Sequence, residues 1–287
     1  MLTVNARAKI NLTLDILGKR PDNYHEVAMV MQQIELSDLL TVRLGAKGEG
    51  IQLISDIPGL ENVQRNLAYK AAKLVYDKFK IGQGVYIELT KRIPIAAGLA
   101  GGSTDAAAVI MALNDLFELG LNADELCELG AEIGSDVPFC IKGGTMLATG
   151  RGEVLKPLPA MPDCYVVLAK PQVSISTAWA YQNYDAKSVN VHPQNTEIIK
   201  CLEQGDLQSI SKLLCNVLES VTIKEHAEIA MIKKMMLEHG AMASLMSGSG
   251  PTVFGLTPDE DKAKYIVKKL EGLQNTQVIL TKTVCGD

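Results

Sequence analysis

The sequence of 287 residues has few of the features that set special classes of protein apart. No run approaches the ~20 consecutive apolar residues that a membrane-spanning helix requires. Residues 1–6 lack the charged segment and apolar core with which a secretory signal begins. There is neither a low-complexity tract nor an internal repeat, and 47 % of the residues are hydrophobic. These absences predict a globular, cytoplasmic protein.

An excess of positive charge is also absent. The formal net charge is −5, which argues against a broad attraction to nucleic acid or to a membrane surface. The six cysteines form no Cys-x-x-Cys pair and no cluster with the four histidines at metal-ligand spacing. We therefore expect reduced, mostly buried thiols, no binding of nucleic acid and no membrane contact.

A chain of this length favours two domains. Residues 150–162 are rich in glycine and proline and precede a fresh apolar strand at 165–169. Such a composition is typical of a linker. The sequence predicts an N-terminal domain at 1–157 and a C-terminal domain at 158–287.

The spacing of apolar residues predicts secondary structure along most of the chain. In the N-terminal part it predicts strands at 2–17, at 29–54 with a break at 45–50, and at 84–90, and helices at 66–79, 105–119 and 123–133. Asn122, with Glu125 three residues later, predicts a capped start for the last of these helices. In the C-terminal part it predicts a loop at 183–195 and strands at 165–169, after the glycine-rich motif that begins at Ser247, and at 278–283. It predicts helices at 176–181, 197–202, 207–214, 223–238 and 261–270.

A glycine-rich loop joins the strand at 84–90 to the helix at 105–119 and reads Pro94-Ile95-Ala96-Ala97-Gly98-Leu99-Ala100-Gly101-Gly102-Ser103-Thr104. It is not a Walker A motif, because no Gly-Lys-Ser/Thr ends it, and it lacks the Gly-x-Gly-x-x-Gly spacing of a dinucleotide site. Glycines bring the backbone close to a ligand, and a helix N-terminus attracts anions. The loop indicates a phosphate site, or else a tight turn with Ser103 as an ordinary N-cap.

Two further motifs accompany this loop, Ala6-Arg7-Ala8-Lys9-Ile10-Asn11 near the N-terminus and Ser247-Gly248-Ser249-Gly250-Pro251 near the C-terminus. In this order the three resemble the motifs of the GHMP kinases, the superfamily of galactokinase, homoserine kinase, mevalonate kinase and phosphomevalonate kinase. The resemblance implies an α+β, two-domain fold with an N-terminal ATP-binding and catalytic domain and a C-terminal, ferredoxin-like, substrate-binding domain. It also implies that ATP binds together with Mg²⁺.

The segment Arg20-Pro21-Asp22-Asn23-Tyr24-His25 is more specific. It resembles the Arg-Pro-Asp-Gly-Tyr-His segment of the kinases that act on a cytidyl sugar alcohol in the non-mevalonate isoprenoid pathway. Asn23 replaces the usual glycine, and asparagine also tolerates left-handed backbone. The resemblance implies ATP-dependent phosphorylation of the 2-hydroxyl of 4-diphosphocytidyl-2-C-methyl-D-erythritol.

Residue roles follow from the same resemblance. Asp136, in Gly134-Ser135-Asp136-Val137-Pro138, is the implied general base, and Lys9 is its catalytic partner. The implied ATP-binding residues are Asn66 and every residue from Pro94 to Thr104. The implied substrate-binding residues are Asn11, Tyr24, His25, Thr177, Tyr181 and Gly248. Tyr24 and Tyr181 would cover the two faces of the cytosine, with Trp179 as the alternative to Tyr181. The metal ligands are unknown, with Ser103 as a candidate.

Several of these residues also have a plain structural alternative. Tyr24 and His25 could form a surface turn capped by a buried tyrosine. A strand lysine such as Lys9 is often solvated, and an aspartate such as Asp136, between a helix and an expected strand, is often a turn residue. Ala100 stands where the family usually has glycine, which fits only a backbone of negative φ with no phosphate oxygen in that space. The alternative functions are another GHMP kinase, for mevalonate derivatives or homoserine, and a non-catalytic nucleotide-binding protein.

Overall fold

A computed structural model describes residues 1–60 and 65–284. Its strands are β1 (Leu2–Asn11), β2 (Thr13–Lys19), β3 (His25–Lys47), β4 (Ile51–Ser55), β5 (Gln83–Thr90), β6 (Thr145–Thr149), β7 (Val154–Pro157), β8 (Tyr165–Pro171), β9 (Cys215–Asn216), β10 (Ala243–Met246), β11 (Val253–Thr257) and β12 (Thr276–Lys282). Its helices are α1 (Leu67–Lys78), α2 (Gly101–Leu116), α3 (Ala123–Ile133), α4 (Val137–Lys142), α5 (Thr177–Gln182), α6 (Asn195–Gln204), α7 (Leu207–Lys212), α8 (Glu219–Glu225), α9 (Ala227–Glu238) and α10 (Glu260–Leu270).

The chain divides into two compact units that interleave along the sequence. The first unit comprises residues 1–8, 36–95 and 100–143, and the second comprises residues 9–35, 96–99 and 144–287. The predicted boundary between residues 157 and 158 falls inside the second unit, and the assignment of domains to 1–157 and 158–287 stays a prediction.

In the first unit, the C-terminal part of β3 pairs antiparallel with β5, and β5 pairs parallel with β4. Helices α1, α2, α3 and α4 pack on one another. Helix α2 contacts α1, α3 and α4. Both α1 and α2 have buried alanines, Ala68, Ala71 and Ala72 on α1 and Ala106, Ala107 and Ala108 on α2. Small side chains of this kind let packed helix axes come close.

In the second unit, the N-terminal part of β3 pairs antiparallel with β2 and β6, β6 pairs with β7, and β2 pairs parallel with β9. A separate antiparallel sheet has the order β10-β11-β8-β12, with α9 and α10 packed against it. Its inner strand β8 is buried from Val166 to Ala169, as its continuous apolar sequence requires.

Several sequence predictions are confirmed. The α+β class is confirmed, and the helix at 123–133 has the predicted bounds. The side chain of Asn122 accepts hydrogen bonds from the backbone N–H of Asp124 and Glu125, and the Glu125 carboxylate accepts one from the Asn122 N–H. Asn23 has a φ of 66°, the left-handed backbone that asparagine was expected to tolerate.

Three local predictions are wrong. The helix at 223–238 is two helices, because His226, with φ −133° and ψ 79°, interrupts it. A short helix, α4, follows Asp136 directly where a strand was expected. Helix α2 begins at Gly101, not at residue 105, because Ala100 adopts a left-handed conformation with φ 59° and ψ 26° that starts the helix early. Ser103 therefore lies within α2 and is not its N-cap.

Two findings bear on the class of protein. Among the described residues, no helix is long and apolar enough to cross a membrane. Five of the six cysteines are described as thiols: Cys140 and Cys164 are buried, and Cys127, Cys201 and Cys215 are half-buried. The expectation of mostly buried thiols thus holds for two of these five, and Cys285 lies outside the described residues.

Candidate active site

The N-terminal motif places a buried lysine in the second unit. Lys9 and Asn11 lie two apart on β1, so their side chains share one face. The side chain of Lys9 is buried, and its Nζ donates to Oδ1 of Asn11 at 2.6 Å and to the carbonyl of Gly98 at 3.2 Å. An ammonium has three N–H donors, so one remains without an acceptor among the residues described. Lys9 is therefore not a solvated surface charge.

The C-terminal motif meets the same carbonyl. Ser247 donates its hydroxyl hydrogen to the Gly98 carbonyl at 3.0 Å, and a Cβ on Gly98 would lie 2.2 Å from the Ser247 carbonyl oxygen. A Cβ on Gly248 would lie 3.4 Å from Nζ of Lys9. Asn216 fixes this turn by donating to the carbonyls of Met246 and Gly248, at 2.8 and 2.7 Å. The N-terminal, central and C-terminal motifs thus converge on Gly98, which has no room for a side chain.

The rest of the glycine loop begins helix α2 in the first unit. The left-handed Ala100 contradicts the expectation of a negative φ, and no side chain caps the helix there. Among the described residues, no side chain accepts from the N–H groups of Gly101, Gly102 or Ser103, so these groups suit an anion. Thr104 donates its hydroxyl hydrogen to the Arg7 carbonyl at 2.7 Å, which ties the turn to β1. Gly102 and Ile95 are exposed, so a ligand can reach this turn.

Asn66 is the N-cap of α1. Its Oδ1 accepts from the Ala68 N–H at 2.8 Å, and its Nδ2 donates to the Leu60 carbonyl at 2.8 Å. The predicted helix start is confirmed, and the role of Asn66 in binding ATP stays a prediction.

Asp136 is the N-cap residue of α4 in the first unit. It is partly exposed, and its carboxylate accepts no capping hydrogen bond from that helix. Its carboxylate is therefore not used to hold α4. The pairing of Asp136 with Lys9, which lies in the second unit, stays a prediction.

The Tyr24-His25 segment forms an aromatic cluster with α5 in the second unit. The rings of His25 and Tyr181 are neighbours, with centroids 5.4 Å apart and planes inclined by 34°. Burial lowers the pKa of His25 below its usual value, and the positive charge of Lys19 lowers it further. The imidazole is therefore neutral near pH 7 and offers one N–H donor and one acceptor nitrogen, a pair that suits the edge of a base.

The ring of Tyr24 is 54 % exposed, and the guanidinium of Arg151 lies over it at 5.1 Å from the centroid. One face of Tyr24 is thus covered by a cation, which leaves the other face for a ligand. Thr177, at the start of α5, shares a hydrogen bond of 3.1 Å with the Ser249 hydroxyl. This bond links the cluster to the C-terminal motif.

Sequence reasoning missed Arg151 and Asn216. Arg151 lies in the glycine-rich segment that was interpreted as a linker, and its contact with Tyr24 spans more than a hundred residues. Asn216 lies on the two-residue strand β9, too short to give a periodic signal. Among the described residues, no group of three or more His, Cys, Asp or Glu side chains could hold a metal ion.

Comparison with known proteins gives the family. Residues 66–144 match the model of the GHMP kinases N terminal domain, and residues 198–273 match that of the GHMP kinases C terminal. A 4-diphosphocytidyl-2-C-methyl-D-erythritol kinase of Geobacillus kaustophilus is 51 % identical over 271 residues, covering 94 % of this chain and 93 % of the relative. One of Bacillus pumilus is 54 % identical over 267 residues, covering 93 % and 92 %.

Solved structures agree. A crystal structure of 4-(cytidine 5'-diphospho)-2C-methyl-D-erythritol kinase has a TM-score of 0.84 and 31 % identity over 100 % of both chains. A homoserine kinase from Cytophaga hutchinsonii, with a TM-score of 0.78 and 20 % identity over 99 % of this chain and 94 % of its own, shares the fold.

The chain therefore belongs to the GHMP kinase family, a class of ATP-dependent small-molecule kinases. Within that family it groups with the 4-diphosphocytidyl-2-C-methyl-D-erythritol kinases, because relatives of that name match it over nearly its whole length.

Proposed function

We propose that this chain transfers the γ-phosphoryl group of ATP to the 2-hydroxyl of 4-diphosphocytidyl-2-C-methyl-D-erythritol. The observation that carries the proposal is the convergence of three motifs on the Gly98 carbonyl, which accepts hydrogen bonds from Lys9 and Ser247. A buried ammonium with an open donor is what phosphoryl transfer uses to stabilise developing negative charge. The names of the relatives supply the acceptor.

In this proposal Asp136 accepts the proton of the attacking hydroxyl, a step worth about 10²- to 10⁴-fold in rate when the base is well placed. Its carboxylate is suited to that role because α4 does not use it as a cap. Lys9 stabilises the oxyanion as it forms, and Asn11 orients Lys9 through the bond of 2.6 Å. The first turn of α2 binds the phosphates of ATP through the backbone N–H groups of Gly101, Gly102 and Ser103. The Thr104 N–H donates to the Ala100 carbonyl at 2.9 Å, so Thr104 would contribute its hydroxyl.

Mg²⁺ would enter with ATP, because this ion retains several waters and binds through phosphates and one or two protein oxygens. When bound it spreads the charge of the triphosphate. The remaining predicted ATP residues, Asn66 and Pro94 to Leu99, would line the same nucleotide. The two matched family ranges lie on either side of residues 157 and 158, which supports an N-terminal ATP domain and a C-terminal substrate domain.

The cytosine is the proposed basis of acceptor recognition. The base would stack on the face of Tyr24 that Arg151 leaves open, and neutral His25 would pair with its edge. The ring contact between His25 and Tyr181 supports Tyr181 over Trp179 as the second aromatic of the pocket. Thr177 and Gly248 would bind the rest of the acceptor.

The alternatives predict different acceptors. Another GHMP kinase would use mevalonate or homoserine, and a non-catalytic protein would bind ATP without turnover. A coupled ADP-release assay against the cytidyl-methylerythritol, mevalonate and homoserine separates them, with Lys9→Ala as the control for contaminating kinases. ADP release with the cytidyl compound alone supports the proposal. ADP release with mevalonate or homoserine, or no ADP release with any of the three compounds, contradicts the proposal.

A further inference from the structure

A buried ionic cluster lies in the first unit, outside the residues that the proposed reaction uses. Nζ of Lys91 donates to Oδ2 of Asp38 and, at 2.7 Å, to Oδ2 of Asp105. The side chains of Lys91 and Asp105 are each 5 % exposed, and that of Asp38 is fully buried. Burying charges costs free energy, so a cluster of this kind indicates a role that an apolar core would not serve.

The cluster lies directly behind the first turn of α2. Asp105 is on α2 itself, and a Cβ on Gly101 would lie 3.4 Å from Nζ of Lys91. Asp38 also holds the segment before the loop, since its Oδ1 accepts from the N–H groups of Arg92 and Ile93 at 2.6 and 2.8 Å. The ammonium of Lys91, which follows β5, is thus bonded to Asp105 on α2 and to Asp38, which binds the backbone before the loop.

The cluster is not electrically balanced. It has one ammonium for two carboxyl groups, and Oδ1 of Asp105 is buried without a hydrogen-bond partner in the described chain. Burial raises the pKa of Asp105 to about 7; Lys91 opposes this rise and the charge of Asp38 adds to it. Lys91 and Asp38 are the charged groups with the largest effect on the pKa of Asp105. The cluster is neutral when Asp105 holds a proton and has a net charge of −1 when it does not.

We propose that Lys91, Asp38 and Asp105 are positioning residues of the ATP site, which hold the first turn of α2 and set the charge behind it. ATP then binds most tightly when Asp105 is protonated, because a net negative charge behind the turn repels the triphosphate. By reciprocity, the bound triphosphate favours protonated Asp105, so binding takes up a proton. This inference rests on the proposed binding of ATP phosphates at this turn.

The test is calorimetric titration with a non-hydrolysable ATP analogue at pH 6.5 and 8.5, in paired buffers of different ionisation enthalpy. Asp105→Asn is the test variant, and Asp77→Asn, at an exposed residue of α1, is the matched control. For each protein we compare the affinity for the analogue at pH 6.5 with that at pH 8.5. The loss of affinity should be on the order of 3- to 30-fold larger in the wild type and the control than in Asp105→Asn. Titration of the nucleotide itself is common to all three proteins and cancels in this comparison.

Proton uptake near neutral pH, above that of the nucleotide, should appear in the wild type and vanish in Asp105→Asn. The same pH dependence and the same proton uptake in wild type and variant would overturn the proposal. Failure of the wild type to bind the analogue at all would instead overturn the proposed function.

If Asp105→Asn does not fold, the wild type alone gives the answer. Its aspartate carboxyl carbons can be titrated by ¹³C NMR with and without the analogue, with Asp105 assigned. An upward shift in the pKa of Asp105 on binding supports the inference, and an unchanged pKa overturns it.

Discussion

Nζ of Lys9 lies 2.6 Å from Oδ1 of Asn11, and both side chains are buried on one face of β1. Nδ2 of Asn11 in turn donates to Sδ of Met29 at 3.2 Å. Both polar atoms of the Asn11 amide are therefore bonded, which holds the amide in one orientation. The amide in turn orients the ammonium of Lys9, which is otherwise a flexible group at the end of four methylenes. Orientation of this one cation is the structural basis of the proposed catalysis.

The first prediction concerns the reacting groups. Lys9→Ala and Asp136→Asn should each lower kcat by at least ~10²-fold, because the first removes the cation and the second the base. Steady-state kinetics with circular dichroism to verify folding is the measurement. Near wild-type turnover in either folded variant would remove that residue from the mechanism.

The second prediction concerns the phosphate turn. Gly102→Val should weaken ATP binding by about 10- to 150-fold, the cost of one lost charge-assisted hydrogen bond, with little effect on acceptor binding. Among the described residues, a Cβ there would meet Leu67 alone, at 3.3 Å, so the fold should survive. Gly82→Val is the control, since a Cβ on Gly82 would lie 3.7 Å from the flexible side chain of Lys47. Unchanged affinity of folded Gly102→Val for the ATP analogue would mean that the phosphates bind elsewhere.

The third prediction concerns the base. Tyr24→Ala and Tyr181→Ala should each weaken acceptor binding by about 5- to 150-fold, the cost of one stacking face. His25→Ala should reduce the preference for cytidyl over uridyl acceptor, because an unmatched polar edge discriminates most sharply. The measurement is kcat/KM for both acceptors, with Trp179→Ala as the control for α5. Equal use of the two acceptors by the wild type would end the cytosine interpretation.

The fourth prediction concerns stability and pH. The pKa of Asp105 is raised to about 7 in the fold, whereas an unfolded aspartate titrates near ~3.9. The stability that this group contributes is present below pH ~4 and is lost as pH rises through about 7. Without nucleotide, the Tm of the wild type should therefore fall between pH 5 and 8 relative to Asp105→Asn. If the Tm of the wild type and that of Asp105→Asn change with pH in the same way across that range, Asp105 does not have a raised pKa in the folded protein.

Much of this structure could be predicted from local sequence. The helix at 123–133 was placed correctly because Asn122 and Glu125 form a capping box, which depends on residues three apart. Asn66 was likewise found as a helix start. The three motifs were recognised from the sequence alone, and in the structure Lys9 and Ser247 both donate to the Gly98 carbonyl. That these motifs form one catalytic site stays a prediction.

What the sequence missed depends on contacts between distant residues or on backbone conformation. Lys91 and Asp38 are 53 positions apart, and no sequence pattern indicates that they are in contact in the folded protein. The left-handed Ala100 was unexpected because alanine disfavours that conformation, and the surrounding structure must impose it. His226 interrupts an otherwise continuous helical periodicity, and the sequence there has no proline or glycine that would predict the break.

The proposed transfer to the 2-hydroxyl is tested by ³¹P NMR of the product formed from ATP and the cytidyl-methylerythritol. We expect a new phosphomonoester resonance without coupling to a carbinol proton, because the carbon that bears the 2-hydroxyl also bears the methyl group and has no hydrogen. A phosphomonoester coupled to carbinol protons, or release of inorganic phosphate without a new ester, would rule out phosphorylation at this position.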